Sequence, residues 1–190
     1  MPNTPGGLPY PDPTDPVSAG ADNIRNLAQA LDVVGMWIAA AAQNVQTATF
    51  VVVNAATAIP SITNDPSLTN NAGAITIGKA GIYRLSAQLR WSGGGSAGSR
   101  RGIHMTLNGA TIDGSGNIAA GGRNIGATIA APGVGGDVTQ GYTSPPFKAI
   151  AGDIVRVFAF QDSGITLPLV WTATDSNTYQ GPTLISIARQ

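Results

Sequence analysis

The sequence predicts an antiparallel β-sandwich, and three observations carry that prediction. Tyr83, Leu85, Ala87, Leu89 and Trp91 alternate with Arg84, Ser86, Gln88 and Arg90. This period of two turns one face of a strand to a core and the other to solvent or an interface. The ladder follows a turn at Lys79-Ala80-Gly81, and a second turn-strand unit near the C-terminus has Ala151-Gly152-Asp153 opening the run Ile154 to Gln161. The composition is rich in turns and poor in helix-surface residues: 25 glycines and 13 prolines among 190 residues, with charged residues at 11%, well under the roughly 25% of ordinary soluble domains.

Composition also narrows the function. All ten acids are aspartate, Lys79 and Lys148 are the only lysines, and the formal net charge is zero. No basic run exceeds Arg100-Arg101, so the electrostatic term that dominates nucleic-acid affinity is missing and no nucleic-acid partner is expected. A surface so poor in charge is weakly protected against association, which suits a subunit buried in an oligomer. The absence of cysteine excludes disulfides and thiolate metal sites. Residues 1–16 lack the basic start and apolar stretch of a secretory signal. The longest apolar run, Val33 to Ala42, is ten residues, about half of a membrane span. The expectation is a soluble chain with no membrane partner.

Three segments follow in order. Residues 1–20 carry Pro2, Pro5, Pro9, Pro11, Pro13 and Pro16, which favour extended conformations over helix or sheet. They form either a disordered tail or an anchoring arm laid into a partner's groove through Leu8, Tyr10 and Val17. Residues 21–47 predict one helix, capped by Ser18 or Asp22. Ile24, Leu31, Ile38 and Val45 recur every seven residues, with Leu27 and Val34 in complementary positions. That is a short coiled-coil register, which serves as an oligomer stem or packs on its own domain. From residue 48 to 190 the pattern is of strands. Phe50 to Val53, Gly73 to Ile77, Tyr83 to Trp91 and Ile103 to Leu107 lead to Asn108-Gly109, read as a tight hairpin turn into Thr111-Ile112. Asn124 to Ile129, Tyr142 to Ile150, Ile154 to Gln161, Leu167 to Trp171 and Leu184 to Ala188 complete the set. The stretch Ile112 to Gly141 is glycine-rich and reads as an exposed surface or an extended contact arm.

Residues 50–190 resemble the tumour-necrosis-factor-like jelly roll, and within it the complement-type globular head. The motifs are Gly81-Ile82-Tyr83-Arg84-Leu85 through Trp91, Met105-Thr106-Leu107-Asn108-Gly109, Ala151-Gly152-Asp153-Ile154-Val155-Arg156-Val157 with Gln161-Asp162-Ser163-Gly164, and the last strand Thr183-Leu184-Ile185-Ser186-Ile187. The resemblance implies a homotrimer packed around apolar and aromatic residues. Tyr83, Leu85, Leu89, Trp91, Val155, Val157, Phe158 and Phe160 are the candidates for head core and trimer contact. Some members of the family bind calcium near the trimer apex, but no aspartates here cluster in a recognisable ligand spacing. The stretch Gly7-Leu8-Pro9-Tyr10-Pro11-Asp12-Pro13-Thr14-Asp15-Pro16-Val17, with Gly20 to Ala28, resembles the start of tail and head-fibre proteins of phages that infect actinobacteria.

Reactive constellations are weak. Gly93-Gly94-Gly95-Ser96-Ala97-Gly98 fits G-x-G-x-x-G but precedes a strand, where a dinucleotide site needs a helix. Arg100 and Arg101 read as a solvated pair. His104, the only histidine, alternates with Ile103 and Met105 and reads as a surface or interface residue. The aspartates sit beside turn residues, which accounts for them without catalysis. No cofactor or metal is expected. The functional expectation is a non-enzymatic phage virion protein: a trimeric capsid decoration, head fibre or minor tail component. It would attach to capsid or tail proteins through its arm and act by multivalency. The alternative is a receptor-binding protein that takes a host cell-surface glycan on Trp91, Trp171, Tyr142 and Tyr179.

Overall fold

The computed structural model of the protein describes residues 34–39, 41–58, 65–91, 99–130, 138–170 and 183–190. These residues form fourteen strands in two antiparallel sheets. Sheet I is built on the long ladder strand β7 (Gly81–Trp91). One edge of β7 pairs with β14 (Leu184–Arg189) and, at Trp91, with β13 (Leu167–Leu169); the other pairs with β10 (Val138–Thr143) and β11 (Phe147–Ala149). Beyond β14 lie β1 (Val34–Ile38) and β4 (Thr57–Ala58), and β2 (Gln43–Val45) lies beyond β13. Sheet II runs β5 (Leu68–Asn71), β6 (Ala74–Ile77), β12 (Ile154–Gln161), β8 (Arg101–Leu107), β9 (Arg123–Ala130), with β3 (Thr49–Val52) also pairing β12. The sheets face each other as a jelly-roll sandwich.

The core is the facing half of each alternation. Tyr83, Leu85, Leu89 and Trp91 from sheet I meet Ile75, Ile77, Ile103, Met105, Val155 and Val157 from sheet II, all fully buried. Phe158 and Phe160 are also buried but belong to the opposite face of β12, since Val155, Val157 and Ala159 are its core members.

The helix expected over residues 21–47 is not found where the chain is described. Val34, Ile38 and Val45 lie in β1 and β2, so three of the heptad positions are strand positions. The sandwich therefore begins by Val34 and not at residue 48. The physical reason lies in β1: Gly35, Trp37 and Ala39 are buried while Met36 and Ile38 are half-buried. With both faces covered by apolar residues, a strand looks like an unbroken apolar run, which helical and strand periods fit equally well. Five cross-strand pairs with β14, from Val34↔Ala188 to Ile38↔Leu184, supply what a short helix would lack. Ile24, Leu27 and Leu31, with the arm residues Leu8, Tyr10 and Val17, lie outside the described residues.

Two turns show how local chemistry sets the topology. Between β5 and β6, Ala72 (φ 50°) and Gly73 (φ 86°) join Asn71 to its partner Ala74. Two successive positive φ values make the hairpin turn that matches strand twist, and a side chain at Gly73 would collide with the Val53 carbonyl. Asn108-Gly109 is not the tight hairpin expected. Asn108 donates from Nδ2 to Asp153 Oδ1 at 2.8 Å and accepts the Ile154 N–H at 2.9 Å. Its side chain is thus spent on β12. The chain instead runs out through Ile112, which bridges Ile118, and returns to pair with β8 only at Arg123. Within the glycine-rich stretch, Arg123–Ala130 is a full strand.

Candidate interaction face

The outward side of sheet I is assembled by register. One row crosses Met36, Ser186, Ser86 and Thr143, and the next Ile38, Leu184, Gln88 and Gly141. Met36, Ile38, Ser86, Gln88, Leu184 and Ser186 are all half-buried, and none carries a charge. Ser86 and Thr143 share a hydroxyl–hydroxyl hydrogen bond of 2.9 Å. Cations mark the two ends of the face. Arg90 closes the upper end, buried and with its backbone N–H held by Thr183 Oγ1 at 3.1 Å. At the lower end Arg84 is cross-strand from Ala188, and Lys148 from Ile82. An uncharged, partly apolar band in the middle of an open sheet face is the chemistry of a protein contact.

The outward side of sheet II is aromatic. Phe50 stacks on its cross-strand partner Phe160 with centroids 4.6 Å apart, and His104 meets Phe50 edge-on at 4.8 Å. Phe158 lies between Val52 and His104 in register and is only 1% exposed. The connection 108–122 runs along this side. Arg156 on β12 donates to the Gly109 carbonyl, and a side-chain carbon at Gly114 would reach within 3.8 Å of the Ala48 carbonyl. His104 Nε2 is buried without a hydrogen-bond partner, and desolvation lowers the imidazole pKa.

The upper rim is held by polar groups. Gln161 is fully buried; its Nε2 donates to the carbonyls of Val45 and Ile165, and its Oε1 accepts from the backbone and hydroxyl of Ser163. Of Arg100 and Arg101, expected as a solvated pair, only Arg100 is exposed. Arg100 binds Asp162 through Nε at 2.6 Å, and these bonds outweigh burial to hold the Asp162 carboxyl below its usual pKa. Arg101 is 2% exposed, with its guanidinium 5.8 Å from the Trp91 ring centre. Among the described residues no three His or Asp side chains come close enough to hold a metal ion.

Of the residues singled out by sequence, Tyr83, Leu85, Leu89, Trp91, Val155 and Val157 lie between the sheets, and Phe158 and Phe160 on the far side of sheet II. Trp91 is fully buried and so is no sugar platform, Tyr142 is half-buried against the core, and Trp171 and Tyr179 lie outside the described residues. The face itself was carried by the alternate positions of the ladder, Ser86 and Gln88, and by Met36, Ile38 and Leu184. The signal was the uncharged pair Ser86 and Gln88 between Arg84 and Arg90.

The two sheets and their strand order define a tumour-necrosis-factor-like jelly roll. No family model matches the sequence, and no curated protein does either. Among solved structures the chain is similar to the Eiger TNF of S. frugiperda, at 11% identity over 83% of this chain and 92% of that one, with a TM-score of 0.56. It is similar also to murine APRIL at pH 8.0, at 13% identity over 83% and 98% of the two chains with a TM-score of 0.52, and to murine APRIL at pH 8.5, at 14% identity over the same shares with a TM-score of 0.51. At such identities the likeness is one of fold.

Proposed function

We propose that this chain is a non-enzymatic structural protein of a phage virion, a capsid decoration, head fibre or minor tail component that works as a self-associated trimer. The observation that carries the self-association is the band Met36, Ile38, Ser86, Gln88, Leu184 and Ser186 on the open side of sheet I, half-buried and uncharged in a single copy. A jelly-roll head with such a band on one sheet packs around a threefold axis, and three copies then bind a repetitive surface with combined strength. The phage setting is supported by the stretch Gly7 to Val17, whose likeness is to the start of phage tail and head-fibre proteins. Capsid or tail proteins are the partners assigned to residues 1–20.

Light scattering on the full-length chain tests the assembly. The expected mass is three times 19.2 kDa; a mass of 19.2 kDa overturns it. Gold-labelled antibody on intact particles tests the setting, with label on capsid or tail expected and unlabelled particles overturning it.

A further inference from the structure

The zero net charge hides a division. Residues 1–33 hold Asp12, Asp15, Asp22 and Asp32 against Arg25, so this leader is three units negative. Residues 34–190 hold nine cations against six aspartates and are three units positive. Two of those cations are answered locally: Lys79 by Asp65 at 3.4 Å and Arg100 by Asp162 at 2.6 Å. Arg84, Arg123, Lys148 and Arg189 have no ion pair among the described residues.

These four converge on one end of the sandwich. Arg84 and Lys148 are on the outward side of sheet I, at the start of β7 and in β11. Arg123 donates through Nη2 to the Lys148 carbonyl, and Arg189 through Nη2 to the Ala80 carbonyl at 2.9 Å. Ile82, which pairs with Lys148, is 46% exposed, and Ile150, just past β11, is 59% exposed. Asp153 lines the same hollow as Arg123, Lys148 and Ile150 but spends its carboxylate on the Asn108 amide and the Ile150 N–H. The four cations and two exposed isoleucines therefore outweigh the one acid there and favour an anion with apolar side chains.

The leader joins the head at this same end. Val34 pairs with Ala188, and Ala188 with Arg84. With strands about 4.8 Å apart, Arg84 lies about 10 Å from Val34 across the sheet, and Lys148 about 16 Å. A chain extends by about 3.3–3.6 Å per residue, so Asp32 is within reach of Arg84 and Asp22 within reach of Lys148. Leu8, Tyr10 and Val17 supply the apolar side chains. We infer that in the free protein residues 1–33 dock onto the basic end of the head, their aspartates on Arg84, Lys148, Arg123 and Arg189, and that residues 1–20 leave it when they bind a capsid or tail protein. The inference does not rest on the trimer, because a single copy presents the same four cations.

Zero-length carbodiimide crosslinking of the full-length protein, read by peptide mass spectrometry, tests it. Only Lys79 and Lys148 carry side-chain amines and there is no glutamate, so products are unambiguous. The Lys79–Asp65 pair is the internal control. The expected result is a Lys148 link to Asp12, Asp15, Asp22 or Asp32. Its yield falls several-fold in about 0.5 M salt, where the Debye length shrinks to about 4 Å. It vanishes when the four leader aspartates become asparagine, while the Lys79–Asp65 product persists. A Lys79–Asp65 product with no Lys148–leader product overturns the inference, and so does a Lys148–leader yield indifferent to salt. If an added polyanion such as heparin binds the wild type and the asparagine variant equally, the end is open to external anions and the leader does not occupy it. Mixing isotope-labelled and unlabelled protein tells whether the leader is the copy's own or a neighbour's; either supports the docking. A monomeric mass with the Lys148–leader product would sink the trimer alone.

Discussion

At the scale of single residues, the interior of the sandwich was legible and its rims were not. Tyr83, Leu85, Leu89 and Trp91 could be read because every second neighbour is polar. Gln161 could not, because a buried amide is recognised only by its partners, and these come from Val45, Ser163 and Ile165. Gln161→Leu keeps the volume but takes the Nε2 donor from the Val45 carbonyl and the Oε1 acceptor from the Ser163 N–H, while the Ile165 carbonyl keeps the Ser163 hydroxyl. Each stranded group costs about 1–3 kcal/mol when buried. A loss of roughly 3 kcal/mol in urea unfolding is expected, and an unchanged midpoint would show the network to be idle. His104 sets a pH dependence. Desolvation lowers its folded pKa below the ordinary 6.5, so between those two values the unfolded chain binds more protons than the folded one. Its stabilisation is whole above pH 6.5 and is lost as pH falls towards the folded pKa. Asp65 and Asp162, with pKa values lowered from 3.8, act only at more acid pH. The wild type is therefore expected to melt at a lower temperature at pH 5 than at pH 7, and His104→Phe to flatten that difference.

At the scale of elements, strands with a polar face were readable, and a strand with apolar residues on both faces was mistaken for helix. Gly35-Met36-Trp37-Ile38-Ala39 alternates in burial, yet no polar residue marks the alternation. The turn at Asn108-Gly109 was misjudged for another reason: its dipeptide suits a tight hairpin, but Asn108 is captured by Asp153 and Ile154 from a strand 45 residues later. Long-range partners of this kind leave no local trace. The corrected boundary has a consequence for truncation. Removing residues 1–33 is expected to leave a cooperative melt and a β-type circular dichroism spectrum. Removing residues 1–47, harmless to a head that began at residue 48, deletes β1 and β2 with Trp37 and Val45 and is expected to abolish that melt. Two indistinguishable melts would restore the stem reading.

For the whole molecule, the fold class was legible because turn chemistry and alternation agree over most of the chain, while the contact face was not. A contact face is defined by register across four strands, and the sequence lists those strands far apart. If the band on sheet I is the trimer contact, a carboxylate there must divide the trimer without unfolding the head. Leu184→Glu is expected to bring the solution mass down to 19.2 kDa with melting still cooperative. Ile165→Glu, at a site 53% exposed away from that band, is expected to leave the mass unchanged. A trimeric Leu184→Glu protein would move the contact elsewhere. The order of the strands also has a bearing on synthesis. The last strand, β14, is wedged between the first, β1, and the ladder strand β7. Sheet I cannot close until Leu184–Arg189 has emerged from the ribosome, so β1 and β7 wait for β14 through the synthesis of everything between them. A product that stops before Leu184 lacks the strand that joins β1 to β7. Only copies translated past Arg189 can then enter an assembly, a checkpoint written into strand order.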